Sequence, residues 1–215
     1  MLLCCCKVWT IFFFQCNLVK KESSYFKTAL DNKFSFCYDL KINYPELWLN
    51  QWRKIDSTFS IEHFSKQQDQ KFNIQWHSIN DNIVDQYKDL FEFSIDSNLA
   101  IDIYSYGTVL ELKNNKSMVS FSGDMEVEIV NFKHKEAGFI YHASTYEMLQ
   151  DCFWINSNEF IILGCTQDSL MTPFIWKYNL KFQTKEIFYY RKSFKKYAVD
   201  YFFQKFPKYT KWSEH

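Results

Sequence analysis

The stretch CFWINSNEFIILGCTQDSLMTPFIWKYNLKFQTKEIFYY, residues 152–190, decides the fold. It contains four runs of aromatic and β-branched residues that are separated by polar segments. Such runs favour strands, whereas Asn, Asp and Ser favour tight turns because their side chains bond nearby backbone groups. Short connections of this kind favour antiparallel pairing of consecutive strands. The stretch therefore predicts a four-stranded antiparallel meander.

An earlier part of the chain repeats the first hairpin of this meander. FSIDSN, residues 93–98, recurs as FWINSN, residues 153–158. Each segment predicts a strand that runs into a tight turn, in which Asn tolerates left-handed backbone angles. We expect Ile95 and Ile155 to occupy equivalent buried positions at the ends of these first strands.

Two further matches extend the repeat beyond the hairpin. Ile101 falls in step with Ile161, and the third strand ends in Asn-apolar-Lys both times, at residues 131–133 and 179–181. A polar turn and a fourth strand follow in each case. The sequence therefore predicts an internal duplication of one four-stranded unit.

The duplicated unit, over about residues 91–143 and 152–190, resembles one blade of a β-propeller. The resemblance implies a mainly β fold of antiparallel four-stranded meanders that act as propeller-like blades. A closed propeller needs at least about four blades, and only residues 34–78 remain to supply another. The sheets could therefore form an open stack, an incomplete propeller or a two-sheet sandwich.

Two segments have helical periodicity instead. Residues 44–55 place Leu47, Trp48, Trp52 and Ile55 at near-helical spacing. Residues 193–206 predict a C-terminal α-helix, since Ser193 can cap its start and Pro207 ends it. The apolar stripe of this helix consists of Phe194, Ala198, Tyr201, Phe202 and Phe206. We expect the stripe to cover an open sheet edge or end, with docking on a membrane surface as the alternative.

The composition places the body of the chain, residues 25–215, in one β-rich domain. The 215 residues carry 25 Lys and Arg against 25 Asp and Glu. This balance leaves no global field to attract nucleic acid, so no nucleic-acid partner is expected. Residues 185–211 are locally basic among aromatic residues, and we interpret them as a solvated face.

The first residues have the layout of an export signal. Lys7 precedes an apolar run over residues 8–14, and Gln15-Cys16-Asn17 leads into the polar segment Lys20-Lys21-Glu22-Ser23-Ser24. This layout resembles the signal peptide of Gram-negative bacterial lipoproteins. The resemblance implies lipidation of Cys16, a signal-like segment and tether over residues 1–24, and a lipid anchor in the cell envelope. The alternative is a retained strand or helix at the start of a cytoplasmic protein.

Carboxylates gather in the first repeat and after it. Asp102, Asp124, Glu126 and Asp151 are candidates for a catalytic pair that protonates a glycosidic oxygen and activates water or attacks. Glu126 and Glu128 alternate with apolar residues, which is typical of the solvent face of a strand. We therefore favour a structural interpretation of these carboxylates over a catalytic one.

Cysteine and histidine spacing indicates no metal or cofactor site. Cys152 and Cys165 flank a predicted hairpin and could either pair or remain free thiols. His134 and His142 lie on or beside consecutive strands, but the spacing supplies no third ligand. We expect neither a metal nor a cofactor.

The tryptophans have two possible roles. Trp76, Trp154 and Trp176 fall within predicted strands and are expected to fill the core. Trp48, Trp52 and Trp212 could fill the core as well, or could form an exposed platform for a sugar or a peptide. Core filling is the favoured interpretation, because large aromatic side chains are usually buried.

These features together predict a non-enzymatic cell-envelope lipoprotein, whose role is to bind a protein or glycan partner or to take part in assembly. One alternative is a carbohydrate-active enzyme of the envelope that uses an acidic pair. The other is a cytoplasmic interaction or immunity-type protein, if the first residues are not a signal.

Overall fold

Strands dominate the described part of the chain. The computed structural model describes residues 42–79, 81–113, 116–121, 123–195 and 201–211. The fold is mainly β, with antiparallel sheets and a short C-terminal helix, which confirms the predicted class. Residues 1–24, with Cys16, lie outside the described residues, and so does Trp212.

The described elements follow one another in this order: α1 (Glu46–Arg53), β1 (Phe64–Lys71), β2 (Gln75–Ser78), α2 (Asp81–Tyr87), β3 (Glu92–Phe93), β4 (Leu99–Asp102), β5 (Thr108–Lys113), β6 (Lys116–Phe121), β7 (Met125–Asn131), β8 (Glu136–Ala143), β9 (Glu147–Asn156), β10 (Glu159–Gln167), β11 (Met171–Asn179), β12 (Thr184–Tyr190), α3 (Tyr201–Lys205) and β13 (Tyr209–Lys211). Short 3-10 helices lie at Ile61–His63 and Lys88–Leu90.

Two five-stranded sheets form the body of the protein. The first has the order β1-β12-β11-β10-β9, and the second has the order β2-β8-β7-β4-β3. Strands β1 and β2 are consecutive in the chain but belong to different sheets. β1 pairs with β12 at the edge of the first sheet, and β2 pairs with β8 at the edge of the second. The β5–β6 hairpin lies between β4 and β7 in the chain but is not part of the second sheet. It forms a third sheet with β13, which pairs with β6. Among the described residues the sheets close into neither a barrel nor a propeller.

The main core lies between the two five-stranded sheets. Ile129 of the second sheet and Ile162 of the first are both fully buried in one cluster. The rings of Tyr141 and Trp176 meet across the gap, with 5.0 Å between their centroids. At another edge, the indole of Trp154 donates to the backbone oxygen of Glu92 at 2.9 Å. Apolar burial on both inner faces therefore holds the sheets together.

Helix α1 packs its tryptophans into an aromatic cluster. Trp48 and Trp52, four residues apart on one helical face, are fully buried. Trp52 stacks on Phe59 with 5.8 Å between ring centroids, and Phe59 lies 4.5 Å from Tyr190. Trp48 and Trp52 are therefore core residues, and an exposed platform at these positions is excluded.

The other tryptophans differ in burial. Trp176 is buried, as expected, and Trp154 is partly buried. Trp76 remains 46% exposed, so its predicted core position is wrong. It lies on β2, all of whose residues are exposed, because this short strand adds to the edge of the second sheet.

The two predicted hairpin turns have the same hydrogen bonding. The side chain of Asp96 accepts a bond from the backbone nitrogen of Asn98 at 3.3 Å. Asn156 does the same for the nitrogen of Asn158 at 2.9 Å. Polar side chains thus close both turns, as their residue types predict.

The turns after the third strands match as well. Asn131 accepts from the backbone nitrogen of His134 at 3.2 Å, and Asn179 accepts from that of Phe182 at 3.0 Å. Each turn contains a residue with positive φ, 53° at Lys135 and 49° at Gln183. The same side chain therefore begins the same kind of turn in both sheets.

The predicted burial of Ile95 is wrong. Ile95 is 76% exposed, while Ile155 is partly buried within β9. The difference arises because β3 ends at Phe93, so that Ile95 already lies in the turn. The residues that share full burial are Ile101 and Ile161.

The C-terminal helix does not begin at Ser193. Phe194 forms an antiparallel bridge with Met171, with backbone bonds of 2.7 and 2.8 Å. Its ring packs against Trp52 in the aromatic cluster, with 5.6 Å between centroids. Backbone pairing and burial at Phe194 outweigh its helical spacing. Ala198, a member of the predicted stripe, lies outside the described residues.

Candidate functional site: a pocket beside the C-terminal helix

A pocket of about 400 Å³ is lined by residues of the third sheet, the start of β9 and α3. Its walls include the apolar side chains of Phe121, Met148, Leu149, Phe202 and Phe203. Side chains with polar groups also line it, namely Tyr104, Thr108, Asp124, Thr145, Glu147, Gln150, Gln167, Tyr201 and Lys211. Small-molecule sites typically combine such a volume with mainly apolar walls and a few polar groups.

The β5–β6 hairpin supplies one wall of the pocket. Thr108 and Phe121 are direct partners across the hairpin, so their side chains lie on the same face. The ring of Phe121 lies 4.9 Å from that of Phe202 and 6.1 Å from that of Phe203, measured between centroids. This face of the hairpin is therefore turned towards α3.

A buried carboxylate holds α3 in place. Asp151 on β9 is 2% exposed and accepts hydrogen bonds from the hydroxyl of Tyr201 and the ammonium of Lys205. Tyr201 and Lys205 can share this partner because residues four apart lie on one helical face. The backbone nitrogen of Cys152 donates to the same carboxylate at 2.8 Å, and Lys205 lies 3.8 Å from Glu92.

The protonation states of Tyr201 and Lys205 depend on their shared partner Asp151. Burial raises the pKa of Tyr201, and the neighbouring Asp151 raises it further, so the hydroxyl remains a donor. Burial is the largest single influence on Lys205 and would lower its pKa, but the charge of Asp151, its hydrogen bond to Lys205 and the other neighbouring acidic groups together outweigh burial, so the pKa is raised. Lys205 therefore stays charged and balances the buried carboxylate.

Several polar groups along the pocket already have partners. The hydroxyl of Tyr104 donates to the backbone oxygen of Gln150, and the indole of Trp48 donates to the side chain of Gln150 at 2.9 Å. Glu147 accepts from the hydroxyl of Tyr141 at 2.9 Å. The hydroxyl of Thr108, by contrast, is buried without a hydrogen-bond partner among the described residues.

Lys185 lies in an aromatic box between the sheets. Its ammonium is 4.0 Å from the ring centroid of Tyr141 and 4.2 Å from that of Trp176, and the residue is only 4% exposed. Burial lowers the pKa of Lys185 to about 8, and Glu147 partly opposes this effect. The interpretation of residues 185–211 as a solvated basic face is therefore wrong at Lys185, because alternation along β12 turns this residue inwards.

The four candidate carboxylates do not converge on the pocket. Asp124 lines the pocket, whereas Asp151 anchors α3. Glu126 pairs with His142 at 3.1 Å. Asp102 accepts from the backbone nitrogens of Tyr104 and Ser105, both at 2.9 Å, and so orders the loop that leads into β5. Of the four, Asp124 is the one that lines the pocket.

Three acidic residues, Asp102, Glu126 and Glu128, lie near one another away from the pocket. Asp102 is the cross-strand partner of Glu128. Burial raises the pKa of Asp102, and Glu126 adds to that rise. Burial also raises the pKa of Glu128, and Asp102 adds to it, while His77 lies 3.6 Å away. Within the described ranges, no three His, Cys, Asp or Glu side chains lie in positions to hold a metal ion.

The cysteines of the described body are unpaired. Cys152 and Cys165 are both buried free thiols, which excludes the alternative of a disulfide between them. Burial raises the pKa of each thiol, to about 12 for Cys165. Both thiols therefore remain protonated near neutral pH, as is typical of structural cysteines.

Comparison with known proteins gave no relative. No protein-family model, no curated protein and no solved structure matches the chain. Among the described residues no helix is both long and apolar enough to span a bilayer. The pocket and its neighbouring groups are therefore the basis for a functional proposal.

Proposed function

We propose that the protein is a non-enzymatic binding module, and that its ligand is a small, largely apolar molecule held in the pocket beside α3. The observation that carries the proposal is a pocket of about 400 Å³ whose walls are mainly aromatic and aliphatic. At about 30 Å³ for each water molecule, a ligand could displace roughly a dozen waters from such a pocket. Burial of apolar ligand surface would then drive binding.

The surroundings of the pocket support binding rather than chemistry. Tyr201 and Lys205 engage Asp151, and Glu147 accepts from Tyr141. A glycosidase would need two carboxylates on opposite sides of one bond. Asp124 and Glu147 both line the pocket, but both side-chain oxygens of Glu147 already accept hydrogen bonds from Tyr141 within the protein. The carbohydrate-active alternative therefore has less support.

A fluorescent probe tests the proposal. The neutral dye N-phenyl-1-naphthylamine fluoresces strongly in apolar surroundings, and we expect saturable binding of one dye per chain. Met148→Trp should fill the pocket and abolish the signal, because Met148 lines it. Met118→Trp is the matched control, since Met118 is also partly buried but does not line the pocket. Equal dye binding by both variants would contradict the proposal.

We also propose that the protein acts at the cell envelope as a lipoprotein anchored through Cys16. The support is the sequence layout of residues 1–24, in which an apolar run leads to a cysteine and a polar tether. A lipid anchor would keep the pocket close to a membrane, where apolar ligands concentrate. A protein or glycan partner is the alternative ligand class. The cytoplasmic interaction protein is the alternative if residues 1–24 are not a signal.

We further propose that the two five-stranded sheets arose from one duplicated, blade-like unit. The support is the paired use of Asn131 and Asn179 in turns that both contain a residue with positive φ. The next residue in each turn also donates its backbone nitrogen to the preceding hairpin, Phe132 to Asn98 and Leu180 to Asn158. The β5–β6 hairpin is then an insertion in the first copy, and this insertion builds the pocket wall.

A further inference from the structure

We infer that the ligand of the pocket is an apolar molecule that carries a hydrogen-bonding oxygen, and that this oxygen meets the hydroxyl of Thr108. The inference rests on the proposed function, because it names the ligand class of the same pocket. Thr108 is then the residue that determines specificity.

The first step is the unmet hydrogen bonding of Thr108. The residue is 3% exposed, and its hydroxyl has no partner among the described residues. Its backbone groups are satisfied, since the nitrogen donates to Ser105 at 3.3 Å and the oxygen accepts from Tyr87 at 2.8 Å. A buried hydroxyl without a partner destabilises a folded protein, and most such groups are paired.

The second step is the direction of the side chain. Thr108 and Phe121 are cross-strand partners and lie on one face of the hairpin. Phe121 packs on Phe202, and all three residues line the pocket. Thr108 is therefore part of the wall that a ligand would contact. Because its hydroxyl oxygen has almost no accessible surface in the free chain, the inference requires the Thr108 side chain to rotate towards the ligand on binding.

The third step is the state of the neighbouring hydroxyls. Tyr201 donates to Asp151, and Tyr104 donates to the backbone of Gln150. Their protons are committed to internal bonds, whereas Thr108 offers both a donor and an acceptor. A ligand hydroxyl or carbonyl could use either. A site built to hydrogen-bond an oxygen discriminates against a ligand that lacks it, because its own polar group would stay unpaired.

Two probes of nearly equal shape test this inference. 2-Naphthol carries a hydroxyl where 2-methylnaphthalene carries a methyl group, and their affinities can be compared by equilibrium dialysis. We expect the full chain to bind 2-naphthol more tightly than 2-methylnaphthalene by roughly fivefold or more, after correction for the octanol–water partition coefficients of the two compounds. Thr108→Val keeps the shape of the side chain and should remove this preference. Thr184→Val, at a partly buried threonine away from the pocket, should retain it.

Stability provides an independent readout. Without ligand, Thr108→Val should melt at the same or a higher temperature, because a methyl group replaces an unpartnered hydroxyl. A clearly lower melting temperature would show that the hydroxyl is bonded within the protein and would overturn the inference. Equal binding of both probes by the native chain, or an unchanged preference in Thr108→Val, would also overturn it. Binding of neither probe would contradict the proposed function itself.

Discussion

The hydroxyl of Tyr201 on α3 donates a hydrogen bond to Asp151, a buried carboxylate 50 residues earlier in the chain. This bond ties the C-terminal helix to the first sheet. Lys205 adds a charged partner to the same carboxylate. Phe202 lies between Tyr201 and Lys205 on α3 and lines the pocket. The bonds of Tyr201 and Lys205 to Asp151 therefore also fix the position of a pocket wall.

Tyr201→Phe tests the hydrogen bond between Tyr201 and Asp151. The variant removes one hydrogen bond and leaves Asp151 with an unmet oxygen, so the free energy of unfolding should fall by about 1–3 kcal/mol. Chemical denaturation measures the change. Tyr146→Phe is the control at an exposed tyrosine, and it should change stability by less than about 0.5 kcal/mol. Equal effects at the two positions would mean that the bond to Asp151 contributes nothing specific.

The proposed duplication leads to a prediction about two isoleucines. Ile101 and Ile161 fall in step in the sequence and are both fully buried. Ile101 belongs to the core between the two sheets, whereas Ile161 lies on the opposite face of β10 from the core residue Ile162. Ile101→Ala and Ile161→Ala should each lower the free energy of unfolding by about 2–5 kcal/mol, through lost burial and a cavity. Ile95→Ala should remain within about 0.5 kcal/mol of the native chain, because its side chain lies in solvent. A large loss at Ile95, or tolerance at either buried site, would contradict the burial assigned to these three side chains.

Lys185 predicts a pH dependence of stability. Its pKa of about 8 in the folded chain lies below the ordinary value of 10.5. Between these values the unfolded chain binds more protons, so stability from this group rises as pH increases. Below about pH 8 both states are charged and the full burial penalty remains.

Lys185→Met isolates this contribution. Relative to the variant, the native chain should gain on the order of 2 kcal/mol of stability between pH 8 and 10. Effects of the cysteines and tyrosines in this range are common to both proteins and cancel in the difference. Lys181→Met, at an exposed lysine, should show no such gain. Parallel stability curves for the native chain and Lys185→Met would mean that Lys185 keeps its ordinary pKa.

The lipid anchor has its own test. In a Gram-negative host that expresses the full chain, Cys16→Ser should abolish incorporation of labelled palmitate and leave the precursor unprocessed. Cys165→Ser is the control, because Cys165 is a buried thiol of the folded body. Unchanged labelling and processing in Cys16→Ser would remove the lipoprotein proposal and leave the pocket unaffected.

Local chemistry made much of the fold predictable from sequence. Asn156 and Asn179 predict turns because an Asn side chain can accept a hydrogen bond from the backbone of a turn, and both do so. The helical spacing of Trp48 and Trp52 likewise predicts α1. These features depend on neighbours within a few residues, which the sequence displays directly.

Features that depend on distant partners were not predictable in the same way. Lys185 belongs to a basic run in sequence, yet it is buried because the second sheet places Tyr141 over it. Phe194 fits a helical stripe, yet its backbone pairs with Met171. In both cases a tertiary contact outweighs the local pattern, as it commonly does for single residues.

The pocket itself was missed, although one signal for it exists. Residues 109–112 and 117–121 are two short runs rich in apolar residues on either side of the turn-favouring pair Asn114-Asn115, which is typical of a β-hairpin. Sequence alone could not show that this hairpin lies beside α3, because that arrangement depends on contacts such as the one between Phe121 and Phe202. The acidic residues drew attention instead, and Asp124 is the candidate among them that lines the pocket.

A crystal structure with 6-bromo-2-naphthol would test the central claim most directly, because the anomalous signal of bromine locates the ligand without ambiguity. We expect one bromine site per chain, inside the pocket and against the wall formed by Phe121 and Phe202, with the ligand oxygen at hydrogen-bond distance from Thr108. Bromine sites confined to the outer surface, or no site in crystals grown at a saturating ligand concentration, would contradict the assignment of this pocket as a binding site.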